Sequence, residues 1–572
     1  MVKPDLAELP TRSCWSPSRS AGRIERSPGS SQHAQRFTAI TRTRRARTRR
    51  ATNGTMHLYS IILQGAHSQP NRPAIYFRDA MLTYADLFAR VNQTAHMLQS
   101  LGISAGDRVA LLLPNLPEFT ISYYAITAIG GVCVPANPLL KAPELVHIWG
   151  DSEVRAAITA PGMLATALLA KESLPSLEHI LCVGDAEDLP PGVASFRERM
   201  HGASAEPISE VPVPEDAPAV TIYTSGTEGR PKGALLSHRN LTANCKQVSQ
   251  ALHFDERDNF LCVLPLFHSF AGTVCQNTPL YCRSAMTIME MFHPARVLEA
   301  IERHRITIFA AVPAMYAALL QHPMEREYDL SSLRVCVSGG APMPVAVMQE
   351  FERRFNAVII EGDGPTECSP VTSVNPLYGV RKPGTIGLPI PGVEMRIFDD
   401  EDHELPPGQI GEIVVRGENV MLGYHNQPEA TARAMRNGWY HTGDLGTVDE
   451  DGYFSIVDRK KDMLIVGGIN VYPREVEEVL FSHPAVADAA VIGAPDALRG
   501  EAVVAVVVLK PGSAVTSREL IRFCRERLAN YKVPRRIIFK ESLPRGGTGK
   551  VLKRLLRKEM EMDATAITEG AS

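Results

Sequence analysis

From residue 56 onward, apolar and polar positions alternate with two distinct periods. Thr83-Tyr-Ala-Asp86 has the spacing of a helix capping box. Leu87, Val91, Ala95 and Leu98 follow at helical spacing, and Gly102 stops the pattern. Val109-Ala-Leu-Leu-Leu113 is continuously apolar, which suits a strand buried on both faces. A helix is predicted over 118–129 and a strand at Val132-Cys-Val134. Strands are also predicted at 219–223, 308–312, 333–337 and 358–361. Strand–helix–strand alternation of this kind predicts an α/β fold, with parallel-rich sheets layered by helices. After about residue 460 the texture changes. Helices at 475–481 and 519–528 and strands at 489–492, 502–509 and 537–539 predict a small α+β domain with its own core. Asp458-Arg-Lys-Lys-Asp462 reads as a charged break and a natural linker. The expected division is a large domain over 56–460 and a small, mobile domain over 461–572.

Composition narrows the function classes. The 572 residues are 44% hydrophobic and 22% charged, ordinary globular usage, and no run of 18 apolar residues offers a membrane span. The net charge of −3 gives no reason to expect a nucleic-acid partner. Ten cysteines without a C-x-x-C pair indicate neither a zinc site nor a disulfide framework, and reduced thiols point to the cytoplasm. The charge is uneven, however. Residues 1–55 hold 11 Arg and one Lys against three acidic residues, a net +9, so the other 517 carry −12. This Arg- and Ser-rich leader lacks periodicity and is expected to be disordered. It has three readings: an over-extended start with Met56 as initiator, a plain tail, or an organelle transit peptide. No apolar segment follows its charges as a secretory signal would require.

The candidate chemistry begins at Thr224-Ser-Gly-Thr-Glu-Gly-Arg-Pro-Lys-Gly233, which follows a strand and is expected to lead into a helix or turn. Small residues leave backbone N–H groups free to wrap phosphate oxygens, while Thr224, Ser225 and Thr227 add hydroxyls and Lys232 a cation. It is not a Walker A loop, because Pro231 and Gly233 stand where that motif needs Gly and Ser or Thr. The segment resembles the phosphate loop of the adenylate-forming superfamily of acyl-CoA synthetases, luciferases and peptide-synthetase adenylation domains. Further motifs fall in family order from about Met56 to Arg554.

That resemblance implies ATP, Mg²⁺ and coenzyme A as cofactor and substrates, and it assigns roles where residues match. Thr224, Ser225, Gly226, Thr227 and Lys232 would hold phosphates, and Thr366 the α-phosphate. Glu367, in Gly364-Pro-Thr-Glu367, would be a Mg²⁺ ligand with Thr224 on the metal side. Gly340 and Ala341, in Ser338-Gly-Gly-Ala-Pro342, would line the adenine site. Asp444 and Arg459 would hold the ribose. Lys550 would bridge the acid and the α-phosphate as a single point charge. Lys461 matches the hinge, and Gly467 and Gly468 the face that admits the pantetheine arm. His268 matches a residue lining the acyl pocket. Asp363 departs from the pattern, because many relatives carry an aromatic there to stack on adenine. A hydrogen bond from the adenine amino group to Asp363 is the alternative to stacking.

The stretch from Asn437-Gly-Trp-Tyr-His-Thr-Gly-Asp-Leu-Gly446 to Val457-Asp-Arg-Lys-Lys-Asp462 resembles bacterial long-chain acyl-CoA ligases. The leading expectation is therefore an AMP-forming ligase for a medium- to long-chain fatty acid. The alternatives are an aryl-CoA ligase, an acyl-AMP ligase that loads a carrier protein, and a nucleotide-binding protein without catalysis. Peripheral membrane contact and homodimer formation stay open.

Overall fold

The computed structural model describes residues 57–184, 189–208, 213–224, 231–324, 326–460, 462–467, 469–496, 499–546 and 550–560. The leader over 1–55 lies outside them, as do Ser225, Gly226, Thr227, Lys461 and Gly468.

Among the described residues the chain forms three sheets before residue 460 and one after it. A nine-stranded sheet has a parallel centre in the order Ile359–Asp363, Val335–Ser338, Ile308–Ala311, Asn259–Cys262, Ala285–Ile288 and Pro73–Phe77. Antiparallel strands close both of its edges. An eight-stranded sheet has a parallel run through Pro218–Thr224, Val132–Pro135, Arg108–Leu112, Ala156–Thr159 and His179–Cys182. Parallel strands need long crossovers, which the intervening helices supply. The capping box opens the helix Tyr84–Ser100, with Thr83 accepting from the Asp86 N–H, and Gly102 takes φ +79° just past its end. In the helix Pro117–Ala128 every residue but Glu118 is buried, so its apolar residues face all round. One continuous core joins residues from both large sheets.

Two expectations need correction. No helix follows the phosphate loop directly. Lys232–Ser237 is a strand that pairs antiparallel with Pro218–Thr224, Thr224 facing Lys232, and the helix His238–Leu252 begins only after it. Thr224 and Lys232 thus face each other at the ends of two paired strands. The short run Gly-Ala-Leu-Leu cannot be told from a buried helix segment by periodicity, and only the ladder settles it. Asp458 and Arg459 are likewise not free linker. They end the strand Phe454–Arg459, and Asp458 is 6% exposed. Its carboxylate accepts from the Arg474 N–H at 2.8 Å.

The third sheet is antiparallel and has no counterpart in the sequence expectation. It orders Val393–Phe398, Gly411–Gly417, Trp439–Val448 and Met435–Arg436, with Phe454–Arg459 added on Trp439–Val448. The small sheet joins Ile469–Val471, Leu464–Val466, Gly500–Leu509 and Val486–Asp496, with Arg536–Phe539 beside Gly500–Leu509. The helix Pro473–Phe481 buries Val476 and Leu480 against a separate core with Val491, Val507 and Leu520.

Candidate functional site

Several of the matched residues sit at the carboxyl ends of strands in the two large sheets, where open α/β sheets bind ligands. Thr224 ends Pro218–Thr224, Asp363 ends Ile359–Asp363, and Gly340 and Ala341 follow Val335–Ser338. Gly340 takes φ +77°, a left-handed conformation open to glycine. The turn at Gly364 is equally committed to glycine, because a Cβ there would stand 2.2 Å from the Pro370 carbonyl oxygen.

That turn delivers Thr366 and Glu367. The hydroxyls of Thr366 and Ser269 lie 2.9 Å apart. Glu367 is 8% exposed, and its Oε1 accepts from the Thr224 hydroxyl at 3.3 Å and the Tyr424 hydroxyl at 2.9 Å. Lys232 Nζ stands 5.6 Å from the centre of the Tyr424 ring. The structure thus brings the hairpin's two described ends together with Glu367, through a tyrosine that the sequence reading missed. Tyr424 follows Gly423 on a two-residue strand paired with Ala234 and Leu235, and nothing in its local spacing signals a site.

The ribose-side pair is closed on itself. Asp444 and Arg459 face each other across two antiparallel strands, with Arg459 Nε 2.9 Å from Asp444 Oδ1. Arg459 is held above its usual range, chiefly by Asp444. Asp363 lies close by. Burial first, and the like charge of Asp444 second, push its carboxyl up to about 6, against Lys550 and Arg459.

Lys550 comes from the small domain. It keeps a large accessible area because it stands in an open cleft, yet protein surrounds it. This crowding, with Arg459, lowers its pKa, while Asp444, Asp363 and Glu367 pull it up. Lys550 also bears on His268, whose ring is pushed down to about 3 by burial first and by that ammonium second. One cation from the small domain therefore senses both the carboxylate cluster and His268.

His268 opens a different environment. Its Nδ1 accepts from the Phe270 N–H at 3.2 Å. Beside it is a cavity of about 10 Å³ against the eight-stranded sheet, walled by Ile222, Leu236, Phe267, Tyr123 and Thr273. That is room for about one water and not for an acyl chain. A larger cavity of about 820 Å³, near His96 and Arg199, shares no residue with the site. Gly467 is exposed, with φ +62°, at the tip of the hairpin formed by Leu464–Val466 and Ile469–Val471.

Glu367 and Thr224 present hard oxygen donors, the type that suits Mg²⁺. Among the described residues no three His, Cys, Asp or Glu side chains cluster as a metal cage. One carboxylate completed by substrate phosphates is the usual way Mg²⁺ is held.

A family model for the AMP-binding enzyme matches residues 63–425, and one for the AMP-binding enzyme C-terminal domain matches residues 475–550. The chain is 39% identical over 529 residues to a long-chain-fatty-acid–CoA ligase of Bacillus subtilis, with 88% of this chain and 94% of that protein covered. It is 40% identical over 495 residues to a feruloyl-CoA synthase of an Amycolatopsis species, covering 86% and 97%. Among solved structures, an anthranilate CoA ligase in complex with anthranoyl-AMP matches with a TM-score of 0.84 at 31% identity, covering 89% and 98%. ATP-bound MatB from Rhodopseudomonas palustris matches at 0.81 and 34%, covering 88% and 99%.

Proposed function

The chain belongs to the AMP-binding enzyme family and is an acid–thiol ligase; we propose that its acid is a medium- to long-chain fatty acid and its thiol coenzyme A. The observation that supports this most is Lys550 of the small domain, reaching the cleft that holds Glu367, Asp363 and Asp444.

A carboxylate is a poor electrophile, so it is first made a mixed anhydride. Its oxygen attacks the α-phosphorus of ATP, and pyrophosphate leaves. Negative charge grows on the transferring phosphoryl oxygens, and preorganised donors there lower the barrier. Lys550 supplies the cation between acid and phosphate. Thr366 donates its hydroxyl to the α-phosphate, oriented by Ser269. Thr224 and Lys232, with Ser225, Gly226 and Thr227 between them in the sequence, cradle the other phosphates. Glu367 and Thr224 hold Mg²⁺, which when bound neutralises phosphate charge. Asp444 accepts from the ribose hydroxyls, with Arg459 paired beside it. Gly340 and Ala341 border the adenine, and Asp363 accepts from its amino group. His268 is neutral at neutral pH, so it can line the acyl end without a second cation beside Lys550.

The small domain then turns at Lys461, withdrawing Lys550 and bringing in the face around Gly467 and Gly468. The coenzyme A thiol attacks the acyl carbonyl, and AMP leaves. The described cysteines are free and mostly buried, which supports a cytoplasmic location. No described helix is long and apolar enough to cross a membrane.

An aryl acid is the second reading, favoured by the similarity to a feruloyl-CoA synthase. Acid-dependent ATP–pyrophosphate exchange decides, measured over fatty acids of increasing length and hydroxycinnamates, with and without coenzyme A. The fatty-acid reading expects exchange and thioester product to peak with a medium or long chain. A peak on hydroxycinnamates overturns it, and exchange without thioester product overturns coenzyme A as acceptor.

A further inference from the structure

We propose that Glu412 is a positioning residue for the nucleotide end of the site. It holds the backbone bulge that carries Asp444 and fastens that bulge to Lys460, the residue before the expected hinge. The inference rests on the reading of Asp444 as the ribose ligand.

The ladder between Gly411–Gly417 and Trp439–Val448 is interrupted at one place. Glu412 faces Leu445 and Val414 faces His441, so a two-residue step on one strand meets a four-residue step on the other. Thr442, Gly443 and Asp444 therefore leave the ladder with Gly411–Gly417, while Asp444 keeps its pairing with Arg459 on the other side. Such bulges re-aim side chains beside active sites, and they leave backbone groups outside the ladder. Here those groups are caught. Gly443 takes φ +72°, its N–H donates to Glu412 Oε1 at 3.0 Å, and its carbonyl accepts from the Lys460 N–H at 2.9 Å. The Thr442 hydroxyl donates to the Ile413 carbonyl at 2.7 Å.

The second carboxylate oxygen of Glu412 faces Lys460 and His441. Lys460 Nζ lies 3.5 Å away and His441 Nδ1 3.4 Å away, and Arg436 reaches that same ring nitrogen at 3.0 Å. Lys460 is in turn 2.6 Å from Asp400. Glu412 is 6% exposed and stands beside the buried Ile413, Val414 and Val415. Burial alone would raise its pKa, but His441, Lys460 and the Gly443 N–H outweigh it and hold the carboxyl below its usual range. Apolar residues often replace buried ion pairs without loss of stability. An ionised carboxylate in this strand therefore fits a placement role better than a packing role. Its two oxygens join the ribose loop to the last described residue before Lys461. Glu412 itself touches no substrate; it acts through Gly443, Asp444 and Lys460.

The test compares Glu412→Ala, Glu412→Gln, Lys460→Met and Asp444→Ala in the full chain. It reads KM for ATP, KM for the acid, kcat and melting temperature. Glu412→Ala should raise the ATP KM about tenfold, as for one charge-assisted hydrogen bond. The acid KM should stay within about twofold, because the acyl end does not contain the bulge. Glu412→Gln keeps an acceptor for the Gly443 N–H and should recover most of the loss. Lys460→Met removes the ion pairs to Glu412 and Asp400, leaves the Gly443 hydrogen bond to Glu412, and should raise the ATP KM about threefold. If Glu412→Ala does not fold, the glutamine and Lys460 variants still decide the matter. An unchanged ATP KM, or equal changes in both KM values, overturns the inference. An unchanged ATP KM in Asp444→Ala overturns instead the ribose assignment beneath it.

Discussion

The two ends of the cleft are built on opposite principles. The nucleotide end is crowded with charge: Asp363, Glu367, Asp444, Arg459 and Lys550 act on one another, and each carboxylate is balanced by a cation or a hydroxyl. The acyl end, beside His268, has a neutral ring and apolar walls around about 10 Å³ of space. The first end suits the phosphoryl transfer proposed for it, which needs fixed dipoles. The second holds no shape that dictates a substrate, because side-chain motion sets its size. An enzyme that keeps its chemistry while its acid varies needs this division.

The contrast makes its strongest claim at Lys550. Lys550→Ala should slow acyl-AMP formation by about a thousandfold or more, the scale of losing a preorganised charge at the transferring phosphate. Thioester formation from supplied acyl-AMP should largely survive. Equal loss in both half-reactions would mean that Lys550 supports the small domain and not the first step alone. The acyl end should respond differently. Leu236→Ala enlarges the cavity and should cost about 2–5 kcal/mol of stability in thermal or denaturant unfolding. It should shift preference toward bulkier acids while the ATP KM holds. A change in ATP KM as large as that in acid KM would erase the distinction between the ends.

The sequence carried one end better than the other for the same reason. Thr224, Lys232, Glu367, Asp444 and Lys550 lie in local runs whose residue types are tied to phosphate, metal and ribose. A short motif is enough to propose those roles. Residues that act across the sheets left no such trace. Tyr424 reaches Glu367 only because Gly423–Tyr424 adds to the edge of Lys232–Ser237, a pairing between residues nearly 190 positions apart. Ser269 stood next to His268 in plain view, but its hydroxyl matters only once Thr366 is opposite. The helical and parallel parts of the fold were legible from apolar periodicity. The antiparallel sheet was not. Its strands Val393–Phe398 and Phe454–Arg459 mix exposed and buried positions, and their partners are set by register and not by composition. Acid identity is the least legible of all, since the space beside His268 is enclosed by strand, helix and loop residues far apart in sequence.

The smallest effect probes whether the nucleotide end stores repulsion even when folded and alone. Asp363 titrates near 6 because it is buried beside Asp444. The folded chain therefore binds more protons than the unfolded chain between the ordinary aspartate value and about pH 6. Folding stability must fall as pH rises through that window, and above it the folded chain carries two neighbouring carboxylates. Asp363→Asn removes the second charge and keeps the shape. It should raise the melting temperature at pH 8, by the equivalent of about 1 kcal/mol once the open cleft's screening is allowed for. At pH 5, where wild-type Asp363 already carries its proton, it should do much less. The variant should also weaken ATP binding if the carboxylate accepts from adenine, giving a more stable and less active protein. An equal shift in melting temperature at pH 5 and pH 8 would mean that Asp363 does not feel Asp444, and that the crowded end is held without strain.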